Sequence, residues 1–283
     1  MIARINILIF IILFSHTQAQ SQTIDTLINV GNRKLHFEII KGNGTPIIFE
    51  AGNGNDGSVW KPILQDIYKA TGASLITYDR AGLGKSEIDT TKISFQKEVK
   101  NLKKALKKLG YSKHYFLVAH SFGAFYASEL AQRNKGKTKG AVFIDPVTTC
   151  MTTKEWAANY KKELSPEVWA MLKEHREGLY YVLQNFPTIA DYMSERYIPT
   201  DIPLTLIVAE NLPNENTLKT ENDKINWVKC LKELGNEPNH TFVLAKGADH
   251  LVWEKASKTV IEEVTKLYLE VNQSSKANLS SSN

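Results

Sequence analysis

Short apolar runs bounded by turn residues recur along this chain, at Pro46–Glu50, Ala73–Asp79, His114–His120, Lys139–Asp145, Leu204–Glu210 and His240–Lys246. Each has the length of a strand, and helical patterns separate them. The clearest of these patterns places Phe95, Val99, Leu102, Leu106 and Leu109 at steps of four and three and ends at Gly110, an apolar stripe with a glycine stop. A strand that is apolar throughout has no face to give to water, so both its sides must be covered. Strands alternating with helices therefore predict an α/β fold: a mostly parallel central sheet with helices on both faces. Ahead of this region, Ile24–Val30 and Lys34–Ile40 alternate around Gly31-Asn32, as a β-hairpin does.

One stretch breaks the rhythm. Between Val147 and Thr200 there is no strand pattern, but Trp156, Tyr160, Trp169, Phe186 and other aromatics sit among helix formers. This predicts a helical insertion over about residues 147–200, a candidate lid with an aromatic underside; aromatics that only pack the insertion onto the core would give the same composition. The lysines at 97, 100, 103, 104, 107 and 108 cover the polar side of the 95–109 helix and read as a solvated face. Residues 272–283 are polar and rich in Ser and Asn, the composition of a disordered tail.

The chain begins like an address. Arg4 precedes the apolar run Ile5–Phe14, and small residues follow at Thr17 and Ala19. That pattern is a secretory signal over residues 1–19, so a secreted or periplasmic protein is expected, with its folded domain over 20–271. The apolar run is about half of the ~20 residues that cross a bilayer, so no stable membrane span is expected. Net charge is only +5 over 283 residues, too small and too spread an excess for a nucleic-acid partner. The two cysteines, Cys150 and Cys230, are too few for a disulfide framework; an oxidising compartment allows them to pair, and two buried thiols are the alternative.

Two glycine-rich stretches invite nucleotide readings. Gly52-Asn53-Gly54-Asn55-Asp56-Gly57 fits GxGxxG, with Asp79 ending the next strand, as in dinucleotide folds. In such a fold the helix starts within the glycines. Pro62 would then fall in its second turn, removing a donor and clashing one turn back. Trp60 is also large for a close helix–strand contact, so a dinucleotide-dependent oxidoreductase is the weaker reading. Gly82-Leu83-Gly84-Lys85-Ser86 ends like a P-loop, but Asp79 stands where the first glycine is needed. No cofactor is expected. His36, His114, His175 and His240 have no ligand spacing, and no metal site is expected either.

The chemistry gathers where the strand His114–His120 ends in Ala119-His120-Ser121-Phe122-Gly123-Ala124 and a helical pattern follows. A nucleophile on so sharp a strand-to-helix turn needs small residues two before and two after it, because the chain doubles back. Ala119 and Gly123 are those residues. The helix behind Ser121 offers backbone N–H groups to a developing oxyanion.

Three further segments fall in order around it. Phe49-Glu50-Ala51-Gly52-Asn53-Gly54 resembles the oxyanion loop of the α/β-hydrolase superfamily, Tyr78-Asp79-Arg80-Ala81-Gly82-Leu83-Gly84-Lys85-Ser86 its DRxGxGxS segment, and Gly247-Ala248-Asp249-His250 its GxxH histidine motif. The resemblance covers about residues 30–270. It implies the α/β-hydrolase fold with a helical lid, Ser121 as nucleophile, His250 as general base, and the N–H groups of Asn53 and Phe122 as oxyanion hole. Family loops usually begin His-Gly, and here Ala51 replaces that histidine. The third triad member stays open: many relatives place Asp after the strand that ends at Glu210, while some place it one strand earlier, at Asp145. Asp145 is favoured over Glu210, with Asp223 third. The implied activity is an exported serine hydrolase acting on an ester, thioester or amide, a small molecule with an apolar acyl part. Haloalkane dehalogenases and epoxide hydrolases use an Asp nucleophile, so Ser121 disfavours those reactions; Ser-based peroxidase or lyase relatives stay open. A non-catalytic hydrolase-like protein that binds an apolar ligand is the alternative from another class.

Overall fold

The structure is a computed structural model that describes residues 22–213, 218 and 220–280. The expected signal at 1–19 lies outside the described residues. Eight strands form one sheet in the order β1-β2-β4-β3-β5-β6-β7-β8: β1 Thr23–Asn29, β2 Lys34–Ile40, β3 Ile47–Glu50, β4 Leu75–Tyr78, β5 Tyr115–His120, β6 Thr138–Ile144, β7 Leu204–Ala209 and β8 His240–Ala245. The hairpin β1–β2 joins β4 antiparallel, and every pairing from β4 to β8 is parallel.

Strand geometry sends successive side chains to opposite faces, and two apolar cores result. Tyr115, Leu117 and Ala119 of β5 face one core, while Phe116 and Val118 face the other. The first core is closed by α2 (Phe95–Lys108) and α3 (Gly123–Gln132), through side chains such as Val99, Leu102 and Phe125. On the second face, Ile63 and Ile67 of α1 (Lys61–Thr71) meet Val260 and Val264 of α9 (Val252–Ser280), a helix kinked at Ala256. Ser94 caps α2 by accepting from the Lys97 N–H. Its lysine face is not wholly given to water: Lys104 and Lys108 donate to the carbonyls of Val30 and Asn29 at 2.8 Å, clipping the β1–β2 turn.

Between β6 and β7 the chain leaves the sheet for four helices, α4 (Lys154–Lys162), α5 (Pro166–His175), α6 (Glu177–Gln184) and α7 (Phe186–Met193). Thr153 and Ser165 cap the first two with side-chain oxygens, and Pro166 occupies the first turn of α5, where no N–H is needed. Helix α8 (Glu221–Gly235) precedes β8. Cys230 of α8 is bonded to Cys150, 80 residues earlier, with their Cα atoms 5.6 Å apart; the alternative of two buried thiols does not hold.

Helix α9 runs as far as Ser280, and residues 281–283 of the expected tail lie outside the described residues. Tyr268 and Asn272 tie this helix to Thr45, and extending a docked helix adds one hydrogen bond per residue without a new nucleus.

Candidate active site

Ser121 follows β5 directly and has φ +51, a conformation that L-residues adopt at a cost. Its N–H donates to Ile144 O at 3.1 Å, and α3 starts two residues later. The need for glycine at 123 is visible: a Cβ there would stand 2.5 Å from Glu50 O and 2.6 Å from Ala51 O. The tight turn therefore seats the start of α3 on the end of β3 and leaves Ser121 facing outward.

His250 lies in the loop after β8. Its Nε2 is 2.9 Å from Ser121 Oγ, and its Nδ1 is 2.6 Å from Asp145 Oδ2. Asp145 directly follows β6, is 1 % exposed and also has positive φ, +41. Its Oδ1 accepts from Ala209 N at 3.3 Å. Burial pushes the Asp145 carboxyl above the usual range, while the His250 bond and charge and the Ala209 N–H pull it down. The other two acid candidates lie elsewhere. Glu210 accepts from Gly247 N at 2.8 Å, bracing the turn before His250. Asp223 caps α8 with Thr220 and accepts from Trp156 Nε1 at 3.2 Å.

The loop after β3 brings Asn53 beside Ser121 and Phe122 in the wall of one chamber. The backbone N–H groups of Asn53 and Phe122 have no acceptor among the described residues. Ala51 stands where the family's loops usually carry histidine, and Arg80 tethers this loop. The buried guanidinium donates to Ala51 O and to Gly52 O, each at 2.6 Å, with Nη1 3.8 Å from Glu50 and the plane over the Tyr126 ring. Glu50 accepts from the Tyr78 hydroxyl, and burial pushes its carboxyl up to about 8, with Arg80 and Tyr78 opposing. Arg80 was in view as part of DRxGxGxS, but its target was not. Asp79, the decoy ribose carboxylate, instead accepts from the backbone of Gly57 and Lys85 and from His36.

The chamber over Ser121 has a volume of about 360 Å³. Val147, Leu183 and Phe186, with Trp156 and Tyr160 of α4 and Trp227 of α8, make its walls apolar. Among the described residues, no Asp, Glu, Lys or Arg lines it. Trp156 and Tyr160 stack, and Phe186 meets both edge-on. Two groups of side chains outside the chamber have metal-like donor sets. Cys150 and Cys230 beside Glu233 are joined as a disulfide, which leaves no thiolate, and Asp25 and Glu38 beside His36 are already paired with Lys85 and Lys61. A serine–histidine–carboxylate chain with its carboxylate buried, beside an apolar chamber, has the parts for acyl transfer.

A family model described as the alpha/beta hydrolase fold matches residues 45–165. Among curated proteins, the chain is 39% identical over 113 residues to YqjL, an uncharacterized protein of Bacillus subtilis, covering 40% of this chain and 44% of that one. It is 31% identical over 101 residues to RutD of Azorhizobium caulinodans, named as a carbamate hydrolase, covering 36% of this chain and 37% of that one. The matches thus span less than half the length of these relatives. Among solved structures, the haloalkane dehalogenase DatA of Agrobacterium tumefaciens superposes with a TM-score of 0.64 at 15% identity, over 88% of this chain and 97% of that one. At that identity the likeness is one of fold.

Proposed function

Because residues 45–165 match the alpha/beta hydrolase fold family and the whole sheet has that fold, we propose that this chain is a serine hydrolase of that family that cleaves an ester, thioester or amide through an acyl-enzyme. One observation carries the reading: two consecutive hydrogen bonds, 2.6 and 2.9 Å, link a buried carboxylate through an imidazole to a serine on a strained turn beneath an apolar chamber.

The steps follow from that geometry. Ser121 Oγ attacks the carbonyl carbon while its proton passes to His250 Nε2. The carbonyl π pair moves onto oxygen, where the N–H groups of Phe122 and Asn53 receive the negative charge. Asp145 keeps the Nδ1 proton in place and stabilises the imidazolium. The imidazolium then gives its proton to the leaving oxygen, sulfur or nitrogen as that bond breaks. Water repeats the sequence on the acyl-enzyme and restores Ser121.

The acyl part lies among Trp156, Phe186 and Trp227, so the helical insertion acts as a lid over it. The chamber suits an uncharged acyl group. A carbamate, whose carbonyl carries both nitrogen and oxygen, is attacked in the same way, and one relative is named for that activity. The signal-like residues 1–19 and the Cys150–Cys230 bridge both support an exported, secreted or periplasmic protein, since disulfides persist in oxidising compartments.

A fluorophosphonate probe tests the reading, because it reacts with an activated serine and needs no knowledge of the substrate. The native protein is expected to label, and Ser121→Ala to remain unlabelled. A native, folded protein that never labels would return the chain to the alternative of an apolar-ligand binder.

A further inference from the structure

His120, the residue before the nucleophile, takes no part in the steps above. Elbow sterics ask for small residues at 119 and 123 and nothing particular at 120, yet the imidazole there is 1 % exposed. Its Nε2 lies 2.8 Å from the backbone oxygen of His250. A carbonyl only accepts, so Nε2 carries the proton and Nδ1 is bare. The bare Nδ1 has no partner. It faces the oxyanion loop instead, where a Cβ on Gly52 would come within 2.6 Å of it, leaving no room for water. The ring sits 4.6 Å from the His250 ring and 4.9 Å, edge-on, from that of Trp253.

We propose that His120 is a positioning residue: through its bond to the His250 carbonyl and its contact with Gly52, it holds the histidine loop and the oxyanion loop at their working distances from Ser121. This inference rests on the serine hydrolase reading. Three segments from different strands must meet at Ser121, and His120 touches the two that do not carry it. Both contacts are backbone contacts, so they set where the loops run rather than how one side chain turns. The cost of an unpartnered buried nitrogen is retained because Gly52 must approach closely enough for the Asn53 N–H to reach the oxyanion. Burial holds the His120 pKa well below its ordinary value, so the ring adds no charge beside the imidazolium that forms on His250.

Two variants separate positioning from bulk structure. His120→Phe keeps a flat ring on Trp253 but removes the donor, and His120→Gln returns an amide N–H near the place of Nε2. With an alkyl fluorophosphonate, His120→Phe is expected to lower the maximal inactivation rate by about tenfold or more, since small misplacements of reacting groups are this costly. The probe's half-saturating concentration should stay within about twofold. His120→Gln should recover most of the rate. A His120→Phe protein that reacts as fast as the native one, or an equal loss in both variants, overturns the proposal. If His120→Phe does not fold, the imidazole nitrogens of ¹⁵N-labelled native protein decide. A slowly exchanging Nε2–H on His120 supports the bond, and an Nδ1–H tautomer overturns it. Native protein that never reacts with the probe would instead sink the serine hydrolase reading, and the tautomer would still report whether the bond exists.

Discussion

Ser121 and Asp145 share an uncommon property, positive φ at a residue with a side chain. Each follows the last residue of a parallel strand, and each turns its side chain out of the sheet toward His250. Backbone strain of this kind persists only where surrounding bonds enforce it. Here the enforcing bonds are Ser121 N to Ile144 O and Asp145 N to Ile207 O, at 3.1 and 2.7 Å, each made to the neighbouring strand. Asp145→Asn should leave this geometry intact while favouring the wrong imidazole tautomer, and turnover should fall by about 10⁴-fold. Glu210→Gln keeps an acceptor for Gly247 N and should cost only a few-fold, on the order of one neutral-for-charged hydrogen bond. Steady-state turnover of the two variants on one ester checks the ranking, and the reverse ranking would remove Asp145 from the proposed triad. The two acids look alike in sequence because each ends a strand. Their difference lies in what each meets: Asp145, after β6, reaches His250 Nδ1, while Glu210, after β7, accepts from Gly247 N.

At the scale of elements, α4 and α8 line the chamber together; Trp156 Nε1 ties α4 itself to Asp223, and Cys150, four residues before α4, is bonded to Cys230 of α8. Trp227, one turn before Cys230, lies 6.4 Å from the His250 ring. The disulfide therefore pins the start of the insertion to the helix that flanks the histidine. Closing a loop between residues 80 apart restricts the unfolded chain by roughly 4 kcal/mol. Cys150→Ser together with Cys230→Ser should lose stability of about that size, measured as the shift in denaturation midpoint against the oxidised protein. A double variant as stable as the native protein would show that the bridge contributes nothing in the folded context. Neither tie was legible beforehand. Two cysteines without motif spacing carry no pairing signal, and a tryptophan in a helical stretch does not announce its acceptor. The hydrophobic stripe of α2, by contrast, could be read residue by residue, because a helix's period lies in its own sequence.

The whole molecule brings its loops together by topology. β3, β5, β6, β7 and β8 run parallel, so the segments bearing Asn53, Ser121, Asp145, Glu210 and His250 all emerge at the same edge of the sheet. The insertion then roofs that edge and leaves about 360 Å³. A chamber of fixed size predicts that kcat/KM rises with acyl length, by at most about fourfold per methylene at ~0.8 kcal/mol each, and falls once the space is filled. Trp156→Ala should move the optimum to a longer acyl group, and a series of nitrophenyl esters would show it. An optimum unchanged by the variant would place the acyl group elsewhere.

The alternation of strands and helices, the elbow around Ser121 and the glycine-framed histidine were all fixed by local sequence, because period, turn sterics and motif spacing act within a few residues. Tertiary structure alone decided that Asp145 rather than Glu210 meets His250, that Arg80 ties down the loop after β3, and that Cys150 finds Cys230. Each of these joins atoms far apart in the chain. Their distance depends on which strands lie side by side and on how far each loop overhangs the sheet, quantities that no single stretch of residues encodes.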